Sequence, residues 1–426
     1  MNFSRRGWPE LTPFLYRILV AAAYGLGYPL LARRYGEGLR ERRGLYDGEK
    51  RESLPKGSWW VHAVSVGEVQ TAWPLLEKIR ERFPAMKVVL STTTATGKDM
   101  AFRLAEGLFA HHIYYPWDVP WIVSRALDSV QPKAYIVMET EVWPNMLRAL
   151  SQRCIPAFLV NGRFSERTAR NIRVHPAFWR KVYDLFSLMM VRSSRDRDLL
   201  CSVGISEGKV HVTGDCKVDA LLLRRRKANL SAVRDSLRGR GPVFLAGSTH
   251  QGEEEVVLEA FRKVRGIMPE ARLILVPRHP ERGSAVLALA EAAAPAALWT
   301  SGERDRDILV VDRIGVLFDL YGIADSAFIG GSLVDKGGQN IMEPASFGIP
   351  FSHGPFMRDF VDSAKDLGER GVARQVADAG EIAAHWVESM NPEMREKARC
   401  GAESYFSALG GAVQESLDKI NGVMGA

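Results

Sequence analysis

The run WWVHAVSVGEVQ (residues 59–70) packs a strand, a loop and a helix start into twelve residues. Trp59 to Val64 is a near-continuous apolar run, the pattern of a strand buried on both faces of a parallel sheet. Ser65-Val66-Gly67-Glu68 follows as a small-residue loop, and the helical pattern Val69–Phe83 begins directly behind it. The same order recurs at residues 242–255, where strand Val243–Ala246 runs into Gly247-Ser248-Thr249-His250-Gln251-Gly252-Glu253. Each loop falls at the carboxyl edge of a sheet, where open parallel sheets bind their ligands.

Outward from these two runs, short apolar segments alternate with amphipathic ones. The first half predicts further strands at Lys87–Thr92, His112–Tyr115, Ala134–Met138, Ala157–Val160, Leu188–Val191 and Lys209–Val212. The second predicts them at Leu273–Val276, Ile308–Val311, Ala327–Ile329 and Ile349–Ser352. That rhythm predicts an α/β protein with two doubly wound domains, their ligand edges facing across a cleft. Residues 1–35 read as an N-terminal helix, 36–225 as the first domain and 226–426 as the second. The arginine-rich stretch Leu221–Arg240 reads as linker plus helix, and the last helix is a candidate to pack back on the first domain. A chain of 426 residues suits two domains better than one.

Composition narrows the classes. With 46% hydrophobic and 25% charged residues, wholesale disorder is excluded. The net charge of +7 suits an anionic partner without naming one. Cys154, Cys201, Cys216 and Cys400 lie far apart with no CxxC pair, against a zinc site or disulfide framework and for a reducing compartment. No GxGxxG or GxxxxGK[ST] loop is present, so dehydrogenase and P-loop readings fall. No His cluster has metal spacing and no DxD-like pair follows a strand, so no metal is expected.

Residues 13–31 read PFLYRILVAAAYGLGYPLL, with Arg17 the one charge, and Arg33 to Arg43 carries five arginines against two glutamates. Three readings compete: a monotopic or marginally spanning anchor facing an anionic surface, a buried first helix, and a cleaved signal peptide preceded by Arg5 and Arg6.

Several loops can carry chemistry. Glu68 is either an acid complementing its helix dipole or a general base placed in the cleft beside His62, Ser65 and Gly67. Thr94, in the hydroxyl-rich run Ser91–Gly97, either binds a sugar or caps the next helix. Glu139 and Glu141 share a strand end with Trp143 and Asn145, and one of them is expected only to cap a helix. Arg163 and Lys217 can neutralise an acidic substrate. In the second half, Ser248 and His250 lie in the loop after the first strand, and Arg278 and His279 follow another directly. A guanidinium at Arg278 can grip a phosphate in bidentate fashion. The backbone N–H groups of Gly331 and Ser332 can cradle an anion. Asn340 is expected to start a helix aimed at the phosphate. Glu343, one turn later, can accept ribose hydroxyls, or else form a capping box with Asn340.

These motifs also form an ordered set: HAVSVGEV (62–69), TTTATG (92–97), ETEVWPN (139–145), GDCKVD (214–219), GSTHQGEEE (247–255), PRHPER (277–282) and GGSLVDKGGQNIMEP (330–344). Together they resemble the Kdo transferases, the 3-deoxy-D-manno-octulosonic acid transferases of lipopolysaccharide synthesis, over nearly the whole chain. The resemblance implies a GT-B fold of two Rossmann-like domains, CMP-Kdo as donor, and a lipid A precursor's glucosamine disaccharide as acceptor. It places the work at the cytoplasmic face of the inner membrane, with no cofactor and no nucleic acid. Glu68 matches the family's catalytic base; Arg278, the Gly331–Ser332 loop, Asn340 and Glu343 match its CMP-binding side. Two departures stand out: Val316 replaces an acidic residue after Asp-x-Ile-Gly, and Gly214-Asp215-Cys216 stands where an Asn-containing turn is usual. Rival readings are another GT-B enzyme, such as a heptosyltransferase or nucleotide-sugar epimerase, and a non-catalytic lipid-binding protein.

Overall fold

The computed structural model describes residues 11–237 and 241–425. They divide into two compact units at 220/221, with the described residues from 409 onward returning to the first. Each is a seven-stranded, fully parallel sheet flanked by helices.

The first sheet contains β1 (Trp59–His62), β2 (Val88–Thr92), β3 (His111–Tyr114), β4 (Ala134–Met138), β5 (Ala157–Gly162), β6 (Leu188–Val191) and β7 (Val210–Val212). Their spatial order is β3-β2-β1-β4-β5-β6-β7. Strands β1, β2, β4 and β5 are buried along their whole length. That explains why they read as continuous apolar runs rather than as alternation. Trp60 fills the core beneath β1, packed against Tyr115 and Tyr135.

The second sheet contains β8 (Val243–Thr249), β9 (Arg272–Pro277), β10 (Ala296–Leu298), β11 (Ile308–Val310), β12 (Ser326–Ile329), β13 (Phe351–His353) and β14 (Ala373–Gln375). Its order is β10-β11-β9-β8-β12-β13-β14. Phe244 stacks on Trp386 at 5.1 Å between ring centroids, at the centre of a core that also takes in Phe261 and Ile382.

In each sheet the chain starts in the middle and builds to one side, then returns to build the other. The reversal falls between β1 and β4 in the first sheet and between β8 and β12 in the second. Loops at the carboxyl ends of those four strands are therefore where ligands are expected. This is the Rossmann-like pair of a GT-B fold.

The junction between the units falls inside the helix Cys216–Lys227, five residues before the boundary expected at 225/226. The linker reading becomes that helix plus Leu230–Ser236, and its last residue, Arg240, lies outside the described residues. The terminal helix Ala412–Met424 belongs to the first unit. The Asp219 carboxylate accepts the N–H groups of Gly411 (3.0 Å) and Val413 (3.2 Å), capping that helix from a distance.

The N-terminal helix spans Leu11–Arg34. It is not the buried helix that one reading expected: Leu19, Leu26 and Leu30 are 65%, 87% and 75% exposed. Its stretch Phe14–Arg34 is apolar and long enough to cross a membrane by length and composition. One face nevertheless docks on the first unit. Tyr16 packs on Phe178, Tyr24 on Trp117 and Trp121, and Tyr28 on Trp117. Arg5 and Arg6, on which the signal-peptide reading leaned, lie outside the described residues.

Candidate functional site

Glu68 sits in the first turn of the helix Val66–Arg82, behind the carboxyl end of β1. Its Oε2 accepts the Val64 N–H at 2.8 Å. That is close to a capping box but reaches one residue further back, past Ser65, whose own side chain makes no cap. The structural role and the chemical one therefore coexist in one carboxylate. Burial is the main force on it, and it pushes the Glu68 carboxyl up to about 8. The Val64 hydrogen bond and Lys217 oppose the rise, while Glu141 and Glu139 add to it. Such a carboxyl is poised to exchange a proton near neutral pH. Gly67, on the same turn, is exposed, and a Cβ there would meet nothing.

β4 lies next to β1 across the reversal point, and its end carries Glu139 and Glu141. Glu139 adopts a left-handed backbone (φ 57°), an uncommon state for a residue with a side chain. Its carboxylate lies 3.7 Å from Lys217 Nζ. Lys217 is placed by the first turn of its helix, where Asn161 Oδ1 accepts the Cys216 N–H at 2.9 Å. Burial raises the Glu141 carboxyl above the ordinary range. Arg163 is exposed just beyond β5. Thr94 follows the plainer of its two readings: its hydroxyl caps the helix Ala95–Ala105 by accepting the Gly97 N–H.

His62 is not part of the reactive surface. It is fully buried, stacked on Tyr115 at 3.7 Å, and its Nδ1 contacts the Ser91 hydroxyl at 3.0 Å. Burial drives its imidazole down to about 3, so it stays neutral.

Asp118 is a residue the sequence did not single out. It is buried, and its two carboxylate oxygens accept the N–H groups of Asn145 (3.0 Å) and Met146 (2.8 Å). These are the free donors at the start of the helix Pro144–Gln152. The Asn145 side chain returns a bond to the Asp118 carbonyl, and the Tyr16 hydroxyl donates to the same carboxylate at 3.2 Å. One aspartate thus ties the Glu139–Asn145 loop to the N-terminal helix. An acid two residues before a proline-started helix (Pro120–Val130) reads as a local cap, which hid this longer-range role.

In the second unit, β8 and β12 flank the other reversal point. Ser248 adopts φ 57° at the end of β8. His250 follows, half-buried, its ring 5.9 Å from that of His279 and its Nε2 3.4 Å from the Gln339 amide nitrogen. Burial lowers the His250 imidazole below its ordinary value. Arg278 and His279 are exposed after β9, and the Arg278 N–H is bonded to the Thr249 carbonyl at 2.9 Å.

Two expectations on this side need correction. The N–H groups of Gly331 and Ser332 are not open to a ligand. They bond to the carboxylate of Glu253, at 2.7 and 3.0 Å. Ser332 itself is fully buried, and its hydroxyl donates to the Ile329 carbonyl and accepts the Gly354 N–H. Nor does Asn340 start the helix: the helix runs Met342–Phe347 with Ile341 as its N-cap, and Asn340 Oδ1 accepts the Met342 N–H at 3.0 Å. The capping box from Asn340 to Glu343 does not form either: the N-cap position is Ile341, which makes no side-chain cap. Glu343 is half-buried, raised by burial, and 3.6 Å from Arg224 Nη1.

Comparison with known proteins fits this architecture. The family described as 3-deoxy-D-manno-octulosonic-acid transferase (kdotransferase) matches residues 37–220. The 3-deoxy-D-manno-octulosonic acid transferase of Haemophilus influenzae is 32% identical, covering 90% of this chain and 91% of that protein. The enzyme of the same description from Bordetella pertussis is 31% identical, over 86% of this chain and 87% of its own length. Among solved structures, UDP-GlcNAc 2-epimerase from Neisseria meningitidis shares the fold, with a TM-score of 0.57 at 15% identity, over 85% of this chain and 100% of that one. The chain therefore belongs to the Kdo transferases, glycosyltransferases of lipopolysaccharide synthesis.

Proposed function

We propose that this enzyme transfers Kdo from CMP-Kdo to the glucosamine disaccharide of a lipid A precursor, of the lipid IVA type, with inversion at the anomeric carbon. Glu68 is the general base. It takes the proton from a sugar hydroxyl of the acceptor while that oxygen bonds to the anomeric carbon of Kdo and the bond to the CMP phosphate breaks. The transition state is oxocarbenium-like, as in glycoside cleavage. The observation that carries this reading is the half-buried carboxyl of Glu68, pushed up to about 8, at the reversal point of the first sheet. Ser65, Gly67, Glu139, Glu141, Arg163 and Lys217 surround the acceptor side of the reaction.

CMP leaves as a phosphate monoester. With the Gly331 and Ser332 amides already engaged, its charge falls to side chains, foremost Arg278 and His279, with His250 and Ser248 beside them. Glu343 suits the ribose hydroxyls. One phosphate is a modest charge, so protein donors suffice and the reaction as proposed uses no metal or cofactor.

The acceptor is a phosphorylated amphiphile whose acyl chains stay in a bilayer. A helix that docks one face on the protein and leaves Leu19, Leu26 and Leu30 exposed suits the cytoplasmic surface of the inner membrane. Arg33 and Arg34, exposed at the end of that helix, add attraction to anionic headgroups. Heat protection tests the donor assignment. CMP should raise the unfolding temperature of the full chain where uridine or adenosine diphosphate does not. Protection by a diphosphate instead would overturn it.

A further inference from the structure

Helix Glu253–Ile267 opens with three glutamates, and two of them are fully buried. Acids in a first turn ordinarily complement the helix dipole from the surface. Here the helix phase turns Glu253 and Glu254 inward with Val257, Leu258 and Phe261, and leaves Glu255 exposed. A buried carboxylate persists only where its hydrogen bonds are met.

Glu253 meets them with backbone alone. Its Oε2 accepts the N–H groups of His250 (2.9 Å) and Gly331 (2.7 Å), and its Oε1 those of Ser332 (3.0 Å) and Leu333 (2.9 Å). Gly331, at φ 66°, turns the chain so that successive N–H groups converge on that carboxylate. The neighbouring Gly330 runs so close to β8 that a Cβ there would fall 2.3 Å from the Ser248 carbonyl oxygen. Glu254 binds the third loop: Arg282 Nη1 donates to its Oε1 at 2.7 Å, Arg282 Nη2 to its Oε2 at 3.3 Å, and the Thr249 hydroxyl to its Oε1 at 3.2 Å. Arg282 lies four residues beyond Arg278 on the same loop.

We infer that Glu253 and Glu254 are paired positioning residues for the donor site. Glu253 is a built-in anion that locks the loop after β12 onto the loop after β8. Glu254 locks the Arg278-His279 loop onto the same strand end through Arg282. Three segments that each carry donor-side residues are thereby fixed to one helix start, and the phosphate is left to side chains. The inference rests on the donor-side reading above.

The test measures CMP binding by calorimetry, and steady-state kinetics in CMP-Kdo, on the full-length enzyme. Variants are Glu253→Gln, Glu253→Ala and Glu254→Gln. A glutamine turns an N–H₂ toward backbone donors, so Glu253→Gln should weaken CMP binding at least about tenfold. It should raise KM for the donor by a similar factor and leave KM for the acceptor unchanged. Glu253→Ala should regain CMP affinity as formate is added, because a small carboxylate can refill the amide cluster. A role in stability alone would lower the active fraction, and so kcat, with both KM values intact; that result overturns the inference. Wild-type CMP affinity in folded Glu253→Gln and Glu254→Gln overturns it as well. If a variant does not fold, hydrogen exchange at Gly331–Leu333 in formate-treated Glu253→Ala decides, and unrestored protection counts against it. Absence of CMP binding by the wild type overturns the donor-side reading itself, and this inference with it.

Discussion

Glu68 Oε2 accepts the Val64 N–H at 2.8 Å, and the same carboxyl is raised to about 8 by burial. One oxygen is held by the backbone, which fixes the rotamer and aims the group. Among the described residues the other oxygen makes no hydrogen bond, which is what the proposed role as general base requires.

The pH dependence follows from that. Only the ionised carboxylate can accept a proton, so kcat/KM should be low at acid pH and rise as pH passes through the region of 8. Lys217 favours the ionised form and Glu141 opposes it. Lys217→Met should therefore move the rising limb to higher pH, and Glu141→Gln to lower pH. Initial-rate profiles of the three enzymes check this; coincident limbs would detach Glu68 from the titration.

Asp118 should matter to stability out of proportion to its place in the sequence. Asp118→Asn turns an amide N–H₂ toward donors at the start of the helix Pro144–Gln152. The expected loss is about 1–3 kcal/mol, read from denaturant unfolding. Tyr16→Phe removes a single neutral donor to that carboxylate and should cost less, about 1 kcal/mol. An unchanged midpoint in Asp118→Asn would contradict the capping role.

The exposed face of the N-terminal helix gives a separable prediction. Replacing Leu19, Leu26 and Leu30 together by serine should sharply reduce binding to anionic vesicles, since each leucine buried contributes about 1.5–3 kcal/mol. The unfolding temperature should hold, because the docking contacts belong to Tyr16, Tyr24 and Tyr28. Deleting residues 1–31 removes those tyrosines too and should cost both membrane binding and stability. Vesicle sedimentation and thermal melts distinguish the two variants.

The sequence made the sheets legible because buried parallel strands are continuous apolar runs. All seven strands of the first sheet coincide with expected ones, Ala134–Met138 and Leu188–Val191 to the residue. The second sheet yielded its five inner strands but not β10 and β14. Both are three-residue edge strands, paired on one side only, with Arg374 and Gln375 exposed in β14. β14 has no apolar run to read, and β10 (Ala-Ala-Leu) lies in an alanine-rich stretch behind the helix Gly283–Glu291 that carries no strand period. The loops of the site were legible as composition, but the partners of each group were not. Glu253 shows why: its bonds reach residues 331 to 333, nearly eighty positions away, and nothing local announces them. The helical phase that buries Glu253 with Val257 and Phe261 was the available signal. Asp118 offered less, since its partners Asn145 and Tyr16 lie in separate elements.

Kdo transfer with Glu68 as base can be read in one experiment. The direct measurement is single-turnover mass spectrometry with CMP-Kdo and a tetraacylated, bis-phosphorylated lipid A precursor, comparing wild type with Glu68→Gln. The wild type should yield a lipid heavier by one or more Kdo residues, with CMP released. Glu68→Gln should form the same product roughly 10²–10⁴-fold more slowly, with CMP affinity nearly unchanged. Product at the wild-type rate from Glu68→Gln, or CMP released with no heavier lipid from the wild type, would contradict that reading.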